Sequence, residues 1–154
     1  MVAVLGCGSP LRGDDAAGFA VAERLLGFND VACDVHAACN SRNVRVFLGD
    51  VSPENKTGEI KRFNPDLLLI IDAVDMGLEP GAVRIIPTDE IGGVSFSSHI
   101  LPLPIMMDYL YREVGCLILL LGIQAKSLEF MADMTPDVVD AVNVLVCELR
   151  VLLT

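Results

Sequence analysis

Three short stretches of this chain hold residues able to do chemistry together: Asp14-Asp15, Asp72 with Asp75, and Ser97-Ser98-His99. Two carboxylates and one imidazole make an oxygen/nitrogen donor set suited to a borderline divalent cation. The stretches follow the first, third and fourth of the apolar runs that read as strands. Loops after parallel strands converge on one edge of an open α/β sheet, where its ligands sit. A carboxylate at the mouth of a run as apolar as Leu67–Ile71 is costly to place unless it is paired, capping or ligating. Each residue also has a plainer role open to it. One of Asp14 and Asp15 is expected to cap the helix that follows, leaving the other for function. Asp72 could bond backbone N–H groups in its own turn. Asp75 reads as a turn or supporting residue, and His99 could be a satisfied loop histidine. Residue types and spacing alone therefore indicate a cation-binding α/β domain and no named reaction.

Other chemistries fit less well. Glycines at 6 and 8 suggest a dinucleotide fingerprint, but the third glycine would fall on Leu11, and two acids stand where a pyrophosphate needs bare N–H groups. No G-x-S-x-G elbow supplies a serine nucleophile. Cys7 stands in the first loop, where the neighbouring acids would raise its pKa and oppose a reactive thiolate. The cluster Cys33-x-x-His36-x-x-Cys39 falls short of the four closely spaced ligands of a zinc site, and small thiols beside a surface histidine are the expectation there. The five cysteines are an odd, scattered set, expected to be reduced thiols because no export signal is evident. A net charge of −10, from 11 basic and 21 acidic residues, argues against nucleic acid and against an anionic membrane surface. No apolar run approaches the ~20 residues of a spanning helix. A cytoplasmic, monomeric protein without membrane insertion is the expectation.

The elements that must position these residues alternate along the 154 residues, which form a single domain, 1–154. Val2–Leu5 reads as a strand, the alanine-rich Ala16–Leu26 as a helix, and Val31–Cys39 as a short second helical piece. Val44–Leu48 alternates as a strand should, and Glu54–Phe63 reads as a polar helix stopped by Asn64-Pro65-Asp66. Leu67–Ile71 is continuous and apolar, hence central and buried on both faces. Ala82–Ile86 and Leu117–Leu121 complete five strands, with Ser95–His99 as loop. Leu101–Val114 is a helix with Leu103, Met106, Leu110 and Val114 on one face. Thr135-Pro136 starts a terminal helix whose stripe is Val138, Val142, Leu145, Leu149 and Leu152. The order implies an α/β fold, a three-layer α/β/α sandwich on a mostly parallel, twisted five-stranded sheet.

An ordered set of motifs runs nearly end to end: Leu5-Gly6-Cys7-Gly8-Ser9-Pro10-Leu11-Arg12-Gly13-Asp14-Asp15, Pro53-Glu54-Asn55, Leu69-Ile70-Ile71-Asp72-Ala73-Val74-Asp75-Met76-Gly77 with Pro80-Gly81, Ser97-Ser98-His99-Ile100-Leu101-Pro102-Leu103, Leu121-Gly122-Ile123-Gln124 and Met134-Thr135. Each is weak alone. As a set they resemble the [NiFe]-hydrogenase maturation endopeptidases, and most of all the branch serving energy-converting or archaeal-type hydrogenases. The resemblance implies a phosphorylase/hydrolase-like fold and an aspartyl-type endopeptidase. Such a protease removes a short C-terminal tail from the large-subunit precursor after nickel insertion. It also implies that Asp15, Asp72 and His99 contact the precursor's nickel, or a surrogate divalent cation, and so place the scissile bond, with no tightly held metal at rest. Either an Asp would then activate water or the metal would polarise the carbonyl. The alternative from another class is a non-catalytic nickel chaperone or metal-binding α/β module using the same residues. Two departures stand out. The acid that many relatives carry near the end of the second strand is Leu48 here, with Asp50 nearby, and the glycine usual after the acid pair is Ala16. The segment Cys33–Cys39 reads as an insertion.

Overall fold

The computed structural model describes residues 1–27, 43–87, 89–91 and 102–153, and the backbone of 95–96. Val31–Cys39, with the Cys33-His36-Cys39 cluster, and Ser97-Ser98-His99 lie outside the described residues. In chain order the elements are β1 (Val2–Cys7), α1 (Ala17–Leu25), β2 (Val44–Asp50), α2 (Thr57–Phe63), β3 (Leu67–Asp75), β4 (Val83–Ile86), β5 (Ser95–Phe96), α3 (Leu103–Val114), β6 (Leu117–Gln124) and α4 (Pro136–Leu153). Short 3-10 turns at Gly13–Ala16 and Pro53–Lys56 lead into α1 and α2.

The five strands expected from sequence form one sheet in the order β2-β1-β3-β6-β4. β1 is parallel to β2 and β3, β3 is parallel to β6, and β4 closes the edge antiparallel to β6. Because the chain moves from β1 to β2 on one side and then to β3 on the other, the strand order reverses between β1 and β3. Open α/β sheets bind ligands at the carboxyl side of that reversal.

The apolar runs underestimate the strands. β1, β3 and β6 continue to Cys7, Asp75 and Gln124. The ladder is made by backbone groups, and β3 stays in register with β6 through Asp72–Val74 opposite Gly122–Gln124. Asp72 is therefore a strand residue and not a turn residue. Ser95–Phe96, expected as loop, is a two-residue strand, antiparallel to β3 at Val74 and Asp75, where β1 has already ended.

Alternation along the strands sorts the core into two layers. Ala3, Leu5, Cys7, Leu68, Ile70 and Val74 face α2 and α3, packing with Ile60, Phe63, Leu103, Met106 and Leu110. Val4, Ile71, Ala73 and Ile123 face α1 and α4, packing with Val21, Leu25, Val138, Val142 and Val146. The α4 stripe departs from expectation at its end: Leu152 is 76% exposed, while Val146 joins the core. Arg150 is fully buried and its guanidinium donates to the Arg24 carbonyl at 2.5 Å. Cys7 and Cys116 are free thiols as expected, but Cys147 is disulfide-bonded. The expectation of reduced thiols rested on compartment, which does not decide which sulfurs lie within reach.

Two features fix the segment carrying the acid pair. Helix α1 starts directly over the carboxyl end of β1 and the middle of β3, where a Cβ on Gly18 would collide with the carbonyl oxygens of Ile71 and Cys7. Neither Asp14 nor Asp15 caps a helix with its side chain, contrary to expectation. Asp14 instead accepts from Lys126 N (2.8 Å), Ser127 N (3.0 Å), Thr135 N (2.7 Å) and the Thr135 hydroxyl (2.9 Å), lashing the first loop to the segment before α4. Asp14→Asn sets an amide NH₂ against these donors and is expected to lower unfolding free energy by about 2–3 kcal/mol in urea denaturation. Gly18→Ala forces α1 off the sheet, with an expected loss of about 1–3 kcal/mol in the same measurement.

Candidate active site

β1 ends in a register shift between Gly6 and Cys7, and the chain turns at Gly8 with φ 112°. Only glycine suits this backbone, and a Cβ there would also strike the Asp15 carbonyl. The turn is held by Gly8 N donating to Asp50 O at 3.0 Å and Asp15 N to Arg12 O at 3.1 Å. The loop thus folds back on itself, and Ser9 N donates to Asp15 Oδ2 at 2.9 Å. Asp15 is completely buried at the carboxyl end of β1.

Asp72 is also completely buried. It lies one residue past Ile71, the last β3 residue paired with β1, so it stands beside the end of that strand. Alternation puts it on the same sheet face as Ile70, Val74 and Cys7, the face covered by α2 and α3. Sequence reasoning brought Asp15 and Asp72 to one sheet edge, and both are there, flanking the β1/β3 reversal. His99 lies outside the described residues, and among the described residues no three His, Cys, Asp or Glu side chains gather as a metal-holding group.

Cys7 reports the electrostatics of this edge. Burial pushes its thiol well above the ordinary range, and the negative charges of Asp72, Asp15 and Glu54 push it further. A thiol in that position stays protonated and is no nucleophile. Glu54 is an acid that strand-end reasoning passed over, because it sits in the 3-10 turn after β2 and not directly at a strand end. Asp50, weighed as a substitute for the acid missing at Leu48, is exposed and left-handed at φ 52°. Leu48 itself packs with the opposite core layer, the one under α1 and α4.

Asp75 plays the supporting part expected of it. Its Oδ1 accepts from Gly77 N (3.1 Å) and from Gln124 Nε2 (3.2 Å), and these bonds hold its carboxyl below the usual range. Gln124, buried at the end of β6, also accepts from Met76 N at 2.7 Å and Leu78 N at 3.2 Å. One amide therefore shapes the loop that leaves β3. Beside it a cleft of about 420 Å³, lined by Ala73, Asp75, Gln124, Lys126 and Leu128, opens along the same carboxyl edge. A groove of about 430 Å³ between α3 and the start of β6, lined by Met107, Tyr111 and Leu117, is more apolar but lies at the amino end of the strands, away from the acids.

Residues 31–150 match the family model described as HycI, hydrogenase maturation protease. The Hydrogenase 3 maturation protease of Escherichia coli K12 is 38% identical over 145 residues, which is 93% of this chain and 85% of that protein. The crystal structure of a [NiFe] hydrogenase maturation protease, HycI from Thermococcus kodakarensis, matches with a TM-score of 0.80 at 31% identity, over 99% of this chain and 90% of that one. A crystal structure of the Hydrogenase 3 maturation protease matches with a TM-score of 0.77 at 35% identity, over 95% and 86% of the two chains. The chain belongs to the HycI family of hydrogenase maturation proteases and is a hydrogenase maturation endopeptidase.

Proposed function

We propose that this endopeptidase removes the C-terminal tail of the hydrogenase large-subunit precursor once nickel is inserted, and that Asp15, Asp72 and His99 recognise the nickel the precursor carries. The observation behind this reading is the pair of fully buried carboxylates, Asp15 in the turn after β1 and Asp72 in β3 just past its pairing with β1. Negative groups so placed are natural partners for a divalent cation presented by a substrate. His99 supplies the nitrogen of the set. It follows Phe96 by three residues, a covalent reach of at most about 11 Å, and Phe96 pairs with Val74 two residues beyond Asp72. The nickel is cargo of the substrate, so the protein needs no resident metal.

In this reading the metal is a position marker. Once Asp15, Asp72 and His99 engage it, the tail of the precursor lies across the carboxyl edge, and orientation supplies a large part of the barrier reduction. The cleft beside Gln124 gives the tail a course along that edge. The protein works as a monomer on one protein partner, and no helix of the described residues is long and apolar enough to cross a membrane.

Intact mass after incubation with nickel-loaded and nickel-free precursor tests the reading. The tail is expected to be lost from the loaded form only; equal cleavage of both would remove nickel from recognition, and nickel binding without cleavage would favour a chaperone. Asp72→Asn is expected to stay folded by circular dichroism, to lose affinity for cadmium as a surrogate cation, and to cut at least ~100-fold more slowly. Wild-type cleavage by this variant would remove Asp72 from the site.

A further inference from the structure

We infer that Glu54 is a catalytic residue of this protease, the general base that activates the attacking water. The inference rests on the protease reading above and adds to it a group that neither the acid pair nor the β3 carboxylate supplies. Glu54 Oε2 is sealed from solvent and has no hydrogen-bond partner among the described residues. A buried acceptor left unmade costs about 1–3 kcal/mol, so a native structure that keeps one holds it for a donor that arrives later. In a peptidase that donor is a water or the leaving amine.

The placement of Glu54 agrees with this role. Its turn, Pro53–Lys56, begins three residues past β2, the strand bonded to β1. Pro53 is buried, and its Cβ lies 3.1 Å from where a Cβ on Gly49 would stand, which ties the turn to the carboxyl end of the strand pair. The turn leads into α2, whose Ile60 and Phe63 pack in the same core layer as Cys7. Asp72 lies on that same face by alternation, so the turn carrying Glu54 leads into the helix that covers the face Asp72 is on. Asp72, Asp15 and Glu54 each act electrostatically on the Cys7 thiol, though among the described residues they do not gather into a metal-holding group. Asp15 already accepts from Ser9 N in holding its loop together. The Glu54 carbonyl accepts from the Thr57 hydroxyl at 2.8 Å, which fixes the backbone of the turn, while Oε2 has no partner among the described residues.

The step balances with water as the only co-reactant. A water O–H proton passes to Glu54 Oε2 as the water oxygen bonds to the scissile carbonyl carbon. The tetrahedral intermediate collapses with breakage of the C–N bond, and the proton on Glu54 passes to the leaving nitrogen. The products are a carboxylic acid end and a free amine, and Glu54 returns to its starting state.

Glu54→Gln keeps shape and removes basicity. With nickel-loaded precursor, kcat is expected to fall about 10²–10⁴-fold, with KM and the cadmium dissociation constant each within about 3-fold of wild type. Glu54→Asp is expected to recover part of that loss, and it carries the test if the Gln variant does not fold. Wild-type kcat in Glu54→Gln would overturn the inference, as would a parallel loss of cadmium affinity, which would make Glu54 a ligand. Failure of the wild-type protein itself to cut the loaded precursor would remove the protease reading, and this inference with it.

Discussion

Close backbone contact of α1 with the end of β1 and the middle of β3 governs what this molecule can do. Gly6 lies against the carbonyl of Gly18, and Gly18 against the carbonyls of Ile71 and Cys7, at distances that admit no Cβ. Contact at that range sets the start of α1 down on the sheet's carboxyl edge at the one place where strand order reverses. The loop between them has no freedom to swing outward. Its acid pair must lie inward, where charge is expensive, and the surrounding structure is arranged to bear that expense.

The two acids of the pair bear it differently. Asp14 is satisfied by backbone donors and a hydroxyl from residues more than 110 positions away, and is in effect a structural pin. Asp15 is bonded within its own loop and faces the edge shared with Asp72. Adjacent identical side chains thus divide into a fastener and a working group. The excess negative charge at this edge is legible in the protonated Cys7 thiol, which suits a site awaiting a cation from outside and unsuits it for a thiolate mechanism.

Much of this was readable from sequence. Continuous apolar residues at Leu67–Ile71 marked the central strand, and helical spacing placed Met106 and Leu110 in the core, because burial follows the period of the side chains. What sequence could not show depends on distant partners. Which of Asp14 and Asp15 would be the fastener is decided by Thr135. Arg150 is buried because a carbonyl on another helix receives it, and Leu152 is exposed because the buried stripe runs through Val146 and Leu149 to Leu153, which turns Leu152 outward. Strand ends were clipped at polar residues, since periodicity reads side chains while pairing is a property of the backbone. From sequence Asp72 consequently reads as a loop residue, and Glu54, set in a turn away from any strand end, gives no signal of chemistry.

The fastening of Asp14 also sets an order of events. The loop that presents Asp15 is closed by residues 126, 127 and 135, just ahead of the last helix. During synthesis the first strand, its turn and its helix leave the ribosome long before their anchor exists. The loop is therefore unanchored until residue 135 has emerged and the segment ahead of α4 has docked. Competence thus depends on chain topology: the loop presenting Asp15 is locked only when the segment ahead of α4 joins it.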